Sequence, residues 1–239
     1  MDPFTHALSG AVANRALGPA TPRPGQFSHR ERLCLGGIFA LWPDLDWLIR
    51  LFADELLYLN LHRGITHSLV MLPLWSLLLG YLLSRFWPQA RDWRDGVTIV
   101  AISTGIHILG DFITSYGTKL FAPLSGQALA FPSTFIIDPW ITLFLLLGVV
   151  LLWCGKGRGV ARLSLAMVTA LVLFQGGMKL QALERGQQLA RALGGVSTHQ
   201  VHALPQPFSP LHWRVIVETD EAHLEAHLGF LRSPRPSPP

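Results

Sequence analysis

Charged side chains are scarce in this sequence, 14% of its 239 residues against roughly 25% in a typical soluble domain. That scarcity argues against an ordinary solvated globule. Cysteine is nearly absent: Cys34 and Cys154 stand alone in or beside apolar segments, with no CxxC or Cys/His spacing. This excludes a disulfide framework and a thiolate zinc site, and leaves both as small buried hydrophobes. The opening Met-Asp-Pro-Phe-Thr-His lacks the basic and apolar stretches of a cleaved signal peptide, so insertion is expected to rely on internal segments. Lysine and arginine form no dense patch. The net charge of +4 is scattered over the ends of apolar runs, which reads as membrane-orientation charge and excludes nucleic acid as a partner. No internal repeat of the transporter type is visible.

Half of the residues are hydrophobic and the mean hydropathy is +0.36, a composition expected of a polytopic membrane protein. Four runs have the length of a transmembrane helix: Ser68 to Trp87, Gly96 to Ile113, Phe135 to Trp153 and Val160 to Met178. Pro3 to Leu17 reads as a short helix stopped by Gly18-Pro19, Leu33 to Trp42 as a half-buried or re-entrant one, and Trp47 to Leu59 as an interfacial helix. The expected fold class is therefore an all-α membrane bundle of about four transmembrane helices. After it, Gln181 to Leu193 reads as helical and His199 to Thr219 as a small β-hairpin outside the membrane. The expected organisation is a membrane-embedded domain over 1–180, an extramembrane segment over 181–232 and a disordered, proline-rich tail over 233–239. Arg91, Arg94, Lys156, Arg158 and Arg162 fall on one side by parity, which the positive-inside rule makes cytoplasmic. The opposite, outer side then receives the polar clusters.

Those clusters carry the chemistry. His107 and Asp111 lie four residues apart in an apolar run, on one face if helical, and burying them is costly unless they line a polar site. The plainer account is a His–Asp hydrogen bond between helices. His62-Arg-Gly-Ile-Thr-His67 suits a loop leading into a helix, with His67 placed to meet His107 and Asp111. Thr66 there would be a cap and Arg63 a binder of anions. Asp44 and Asp46 precede a helix and would diverge by about 200° if both were helical. Asp44 is then the better ligand, and N-terminal capping is the alternative for each. His6 alone would be unremarkable; its company makes it a candidate. Histidine and carboxylate without thiolate suit zinc, manganese or iron in a catalytic site.

Taken in order, Asp2-Pro-Phe-Thr-His6, Pro43-Asp44-Leu-Asp46, His62-Arg-Gly-Ile-Thr-His67-Ser68 and His107-Ile-Leu-Gly-Asp111 with Thr114-Ser-Tyr-Gly117 resemble the YdjM-like family of bacterial membrane-bound, metal-dependent hydrolases. The His-x-x-x-Asp helix is also similar to one in the zinc-dependent phospholipase C and P1 nuclease group, although that group's N-terminal tryptophan ligand is absent. The resemblance implies an inner-membrane hydrolase of an ester or phosphodiester acting on a lipid or small anionic substrate. One or two divalent ions, zinc first, would be held among His6, Asp44, His62, His67, His107 and Asp111. Asp44 or Asp46 would accept a proton from water and Arg63 would hold an anionic group. Two rivals stand beside it, a metal or proton transporter and a scaffold that uses metal structurally.

Overall fold

The computed structural model of the chain describes residues 1–87, 92–192, 198–219 and 223–230. Its helices are α1 (Pro3–Leu17), α2 (His29–Phe39), α3 (Glu55–Leu61), α4 (Leu72–Phe86), α5 (Trp93–Phe112), α6 (Pro139–Trp153) and α7 (Arg158–Ala192). Two 3₁₀ stretches, Pro43–Leu51 and Ile65–His67, flank α3. The helix starts follow from local chemistry. Asp2 accepts from the Thr5 amide ahead of Pro3, Ser28 and Glu31 form a reciprocal capping box, Asp92 caps α5, and Asp138 accepts from the amides of Trp140 and Ile141 ahead of α6. Each satisfies amides that the first turn leaves without a helical partner.

Two helix pairs pack backbone to backbone where small residues coincide. Gly10 of α1 meets Gly36 of α2, and Gly80 of α4 meets Gly96 and Val97 of α5, so a methyl at either contact would overlap the neighbouring chain. Gly80→Ala is therefore expected to lower stability by about 1–3 kcal/mol through overpacking. The melting temperature should fall by several degrees, and an unchanged one would mean that α4 and α5 do not pack this closely. A core of Leu8, Val12, Ile141, Leu145 and Ala161 joins α1, α6 and α7, and a second of Phe27, Leu35 and Ile99 joins α2 and α5.

The four-span bundle expected from hydropathy is overturned. Among the described residues one helix, α7, is long and apolar enough to cross a membrane; a second arises only if 55–67 and α4 count as one span across a 73° bend. The physical reasons are local. The chain breaks at Ser68–Met71, which leaves α4 with 15 residues, and α6 has 15 as well because it cannot begin before its cap at Asp138. Fifteen residues rise about 22 Å, short of the roughly 30 Å hydrocarbon core. Helix α5 reaches 20 residues but buries Asp95, Ser103, Thr104, His107 and Asp111. A chain with one candidate crossing has no alternation of loops, so the outer-face placement that rested on four crossings loses its basis.

The chain is not all-α either. Strands β1 (Thr198–Gln206), β2 (Ser209–Thr219) and β3 (His223–Gly229) form an antiparallel sheet in that order. The third strand was not expected. Trp213, Val215 and Val217 alternate into a core with Met178 and Ala182 of α7, and the sheet approaches closely enough that a Cβ on Gly186 would sit 2.6 Å from Val215 Cγ1. Helix α7 passes residue 180 without a break, merging the expected span at Val160 to Met178 with the helix expected at Gln181 to Leu193. Arg91 and the tail at 233–239 lie outside the described residues.

Candidate metal centre

Helix α1 begins, and α2 and α5 end, at the same end of the molecule. His6 thus meets His107 and Asp111 from α5, and the 3₁₀ stretch after α2 brings in Asp44. His67 enters from the turn between α3 and α4. Asp44, His67, His107 and Asp111 form a group that could hold a metal ion, with one donor atom of each lying within 4.8 Å of the others. His67 Nε2 lies 3.0 Å from His107 Nε2, 3.3 Å from Asp111 Oδ2 and 3.5 Å from Asp44 Oδ1. His107 Nε2 lies 3.5 Å from each carboxylate. Four donors at 2.0–2.1 Å from one tetrahedral ion would be about 3.3–3.4 Å apart. Five edges of this tetrahedron, 3.0–3.5 Å long, fall around that value. Asp111 Oδ2 is buried and has no hydrogen-bond partner among the described residues, an orphan that buried carboxylate oxygens rarely are.

The far side of each imidazole is held. His107 Nδ1 donates to the Ala40 carbonyl at 2.6 Å, and Nε2 is the ring nitrogen that faces the group. His67 Nδ1 is 2.9 Å from Thr66 Oγ1 and 3.5 Å from Asp46 Oδ2. Such partners fix ring orientation and raise ligand basicity. Asp46 is therefore behind His67 and outside the group of four; it also accepts from the Arg63 amide at 2.9 Å and lies 2.9 Å from His62 Nδ1. His62 is likewise not brought to the group. Its ring stands between Tyr58 and Tyr116, buttressing Asp46. The Ala40 carbonyl had no sequence signal, because every residue carries one. Thr66 read as a helix cap, whereas its hydroxyl turns to His67.

Asp111 separates two environments. Its Oδ2 faces His67 and His107, while Oδ1 accepts from the Met1 amino group and from Arg63 Nη2 at 2.9 Å and lies 3.1 Å from His6 Nε2. His6 stacks on His107 at 3.8 Å between ring centroids. Burial, joined by the nearby His107, lowers its pKa to about 4, so the ring is neutral at pH 7. Burial pushes the Asp44 carboxyl up, but the hydrogen bond to His67 and the neighbouring His107 and His6 outweigh it and hold the group below the ordinary value. Arg63 is buried, stacks over Tyr116 at 4.9 Å, and its Nε and Nη1 have no hydrogen-bond partner among the described residues. Its φ of 52° is the left-handed region that non-glycine residues enter at a cost.

Every side chain named in this site falls inside one match to known proteins. Residues 1–182 match the sequence model described as YdjM inner membrane protein. The chain belongs to the YdjM family. It is also similar, at 28% identity over 171 residues, to a Bacillus subtilis (strain 168) relative described as "Uncharacterized protein YfhP". That match covers 70% of this chain and 51% of the relative, so the chain spans about half the length of the curated protein it matches. No solved structure matches it. Membership of an inner-membrane family places this YdjM protein in association with the lipid bilayer, consistent with the apolar length of α7.

Proposed function

We propose that this YdjM family member is a membrane-bound hydrolase that cleaves an ester or phosphodiester with one divalent ion held by Asp44, His67, His107 and Asp111. The observation that carries the reading is the set of donor separations just described, made by two carboxylates and two imidazoles with their outer nitrogens fixed. The thiolate-free donor set suits zinc first, with manganese or iron as alternatives. Four protein donors would fill a tetrahedral ion, so the catalytic form would be the one in which His67, His107 and Asp111 hold the ion and Asp44 yields its position to water, whose pKa the ion would bring toward about 7. Asp44 has a quarter of its side chain exposed, unlike its three buried partners, and is the residue placed to take a proton from that water. Asp46 orients His67 in place of acting as the base, because its oxygens already face His62, Thr66 and the Arg63 amide. The two unpaired N–H groups of Arg63 are suited to an anionic oxygen of the substrate.

Metal analysis of the purified protein tests the reading. Asp46→Asn is expected to weaken zinc binding by about 10–100-fold without removing a donor, measured by competition with a chromogenic chelator. Equal affinity would take Asp46 out of the site. Arg63→Gln should leave zinc affinity within a few-fold while raising KM for an anionic ester more than for a neutral one. A uniform change would deny it contact with the anion.

Ion transport is a second reading, favoured by one observation. Asn14 and Ser103 are both buried and bonded to each other at 2.9 Å, continuing polar groups along α5 away from the cluster. Zinc uptake by proteoliposomes that is lost in Asn14→Leu would put transport first.

A further inference from the structure

Directly behind the cluster lies a cavity of about 170 Å³ among α1, α5, α6 and α7. Leu109 and Ile113 of α5, Ile141 and Leu145 of α6, and Val168 and Val172 of α7 form its walls, and among the described residues no charged side chain lines it. Of its hydroxyls, that of Ser9 is already committed to the His6 carbonyl at 2.8 Å. The cavity is open on one side, where Leu109 and Leu173 are exposed, and its apolar walls are suited to hydrocarbon. A site for a polar substrate would need convergent polar groups, which this one does not have.

The partition between cavity and cluster is thin. Met1 and Gly110 line the cavity, and both also touch the site: the Met1 amino group bonds Asp111, and a Cβ at Gly110 would lie 3.2 Å from His6 Cε1 and 3.8 Å from Met1 Cε. A glycine and an unbranched, adaptable methionine side chain thus stand where a ligand would pass. On the other side of Asp111, Arg63 offers its unpaired Nε and Nη1. A molecule that reaches both features has an anionic head and an aliphatic chain.

We propose that the cavity is the chain subsite of this centre and that its ligand is a long-chain alkyl phosphate ester, the phosphate at Arg63 and the chain between α5, α6 and α7. The assignment rests on the reading of the four side chains as the reaction centre, but its test does not require turnover. The protein, reconstituted in nanodiscs, is irradiated with an alkyl phosphate carrying a diazirine at the chain end, and labelled peptides are mapped by mass spectrometry. Labelling is expected at Leu145, Val168 and Val172. Val168→Trp, which fills the cavity, should reduce it at least tenfold while leaving zinc stoichiometry and the label on exposed Leu146 and Leu147 of α6 unchanged. Val172→Phe provides the same comparison if the tryptophan variant fails to fold. Unlabelled alkyl phosphates should compete better as their chains lengthen from four to twelve carbons, and Arg63→Gln should weaken the phosphates but not the matching alcohols. Equal labelling in wild type and filled variants, or competition independent of chain length, overturns the chain subsite. Labelled cavity residues without any hydrolysis would sink the hydrolase reading alone, whereas hydrolysis of short esters without cavity labelling would sink the chain subsite alone.

Discussion

Metal retention is expected to fall from about one ion per chain, the capacity of a single four-donor site, to background when His107 is replaced by alanine. His107 is fully buried, its Nδ1 is committed to Ala40, and its Nε2 is within 3.0–3.5 Å of the three other donors. Tyr116, Thr66 and His62 are turned to other partners, and His6, stacked on the His107 ring, has its Nε2 at Asp111 Oδ1, away from the oxygen that faces the group. The loss should therefore exceed the 10–100-fold that removing an orienting partner costs. Alanine also leaves the Ala40 carbonyl without its donor, an effect on folding of about 1–3 kcal/mol. Melting curves recorded with and without added zinc separate the two effects. Wild type should gain stability with zinc and His107→Ala should not. A variant that still carries one ion per chain would remove the site.

The second large effect lies at the opposite end of the molecule and concerns stability alone. Arg32 of α2 and Asp95 of α5 form an ion pair with side chains 0% and 4% exposed, and Asp95 also accepts from the Phe27 amide at 2.8 Å. Removing one member strands a buried charge, at a cost of about 3–5 kcal/mol. Asp95→Ala should accordingly lower the melting temperature by roughly 10 °C while zinc affinity stays within a few-fold of wild type. Replacing both members with apolar residues, Arg32→Met with Asp95→Leu, should recover most of the loss, because the desolvation of the pair nearly offsets its attraction. A single variant that melts within two or so degrees of wild type would show that the pair is solvated.

Much of the centre was legible because the chemistry is conspicuous against its background. His67, His107 and Asp111 are ionisable groups in apolar surroundings, and the four-residue spacing of the last two aligns them on any helix. The division of labour between Asp44 and Asp46 was less legible. Within the 3₁₀ stretch Pro43–Leu51 they point apart, and only the arrival of the turn before α4 decides that Asp44 faces the imidazoles while Asp46 sits behind one of them. His62 is diverted by the same turn: Arg63 takes a positive φ, which sends His62 toward Asp46 and Arg63 toward Asp111. Five residues of sequence separation could not show that.

Local chemistry in the chain sets the donor types, the start of α1 at Pro3 behind its Asp2 cap, and the apolar alternation Trp213, Val215, Val217 that makes one face of a strand. These are local properties, fixed by side-chain chemistry and by backbone periodicity. Tertiary structure alone decided how many helices are long enough to cross a bilayer, since hydropathy measures composition and does not register the break at Ser68–Met71 or the late start of α6. It also decided which oxygen of Asp111 faces the imidazoles, and that an apolar cavity stands behind that carboxylate. Such features depend on where four or five helices meet, and the residues that build them are separated by up to 172 positions between Met1 and Leu173.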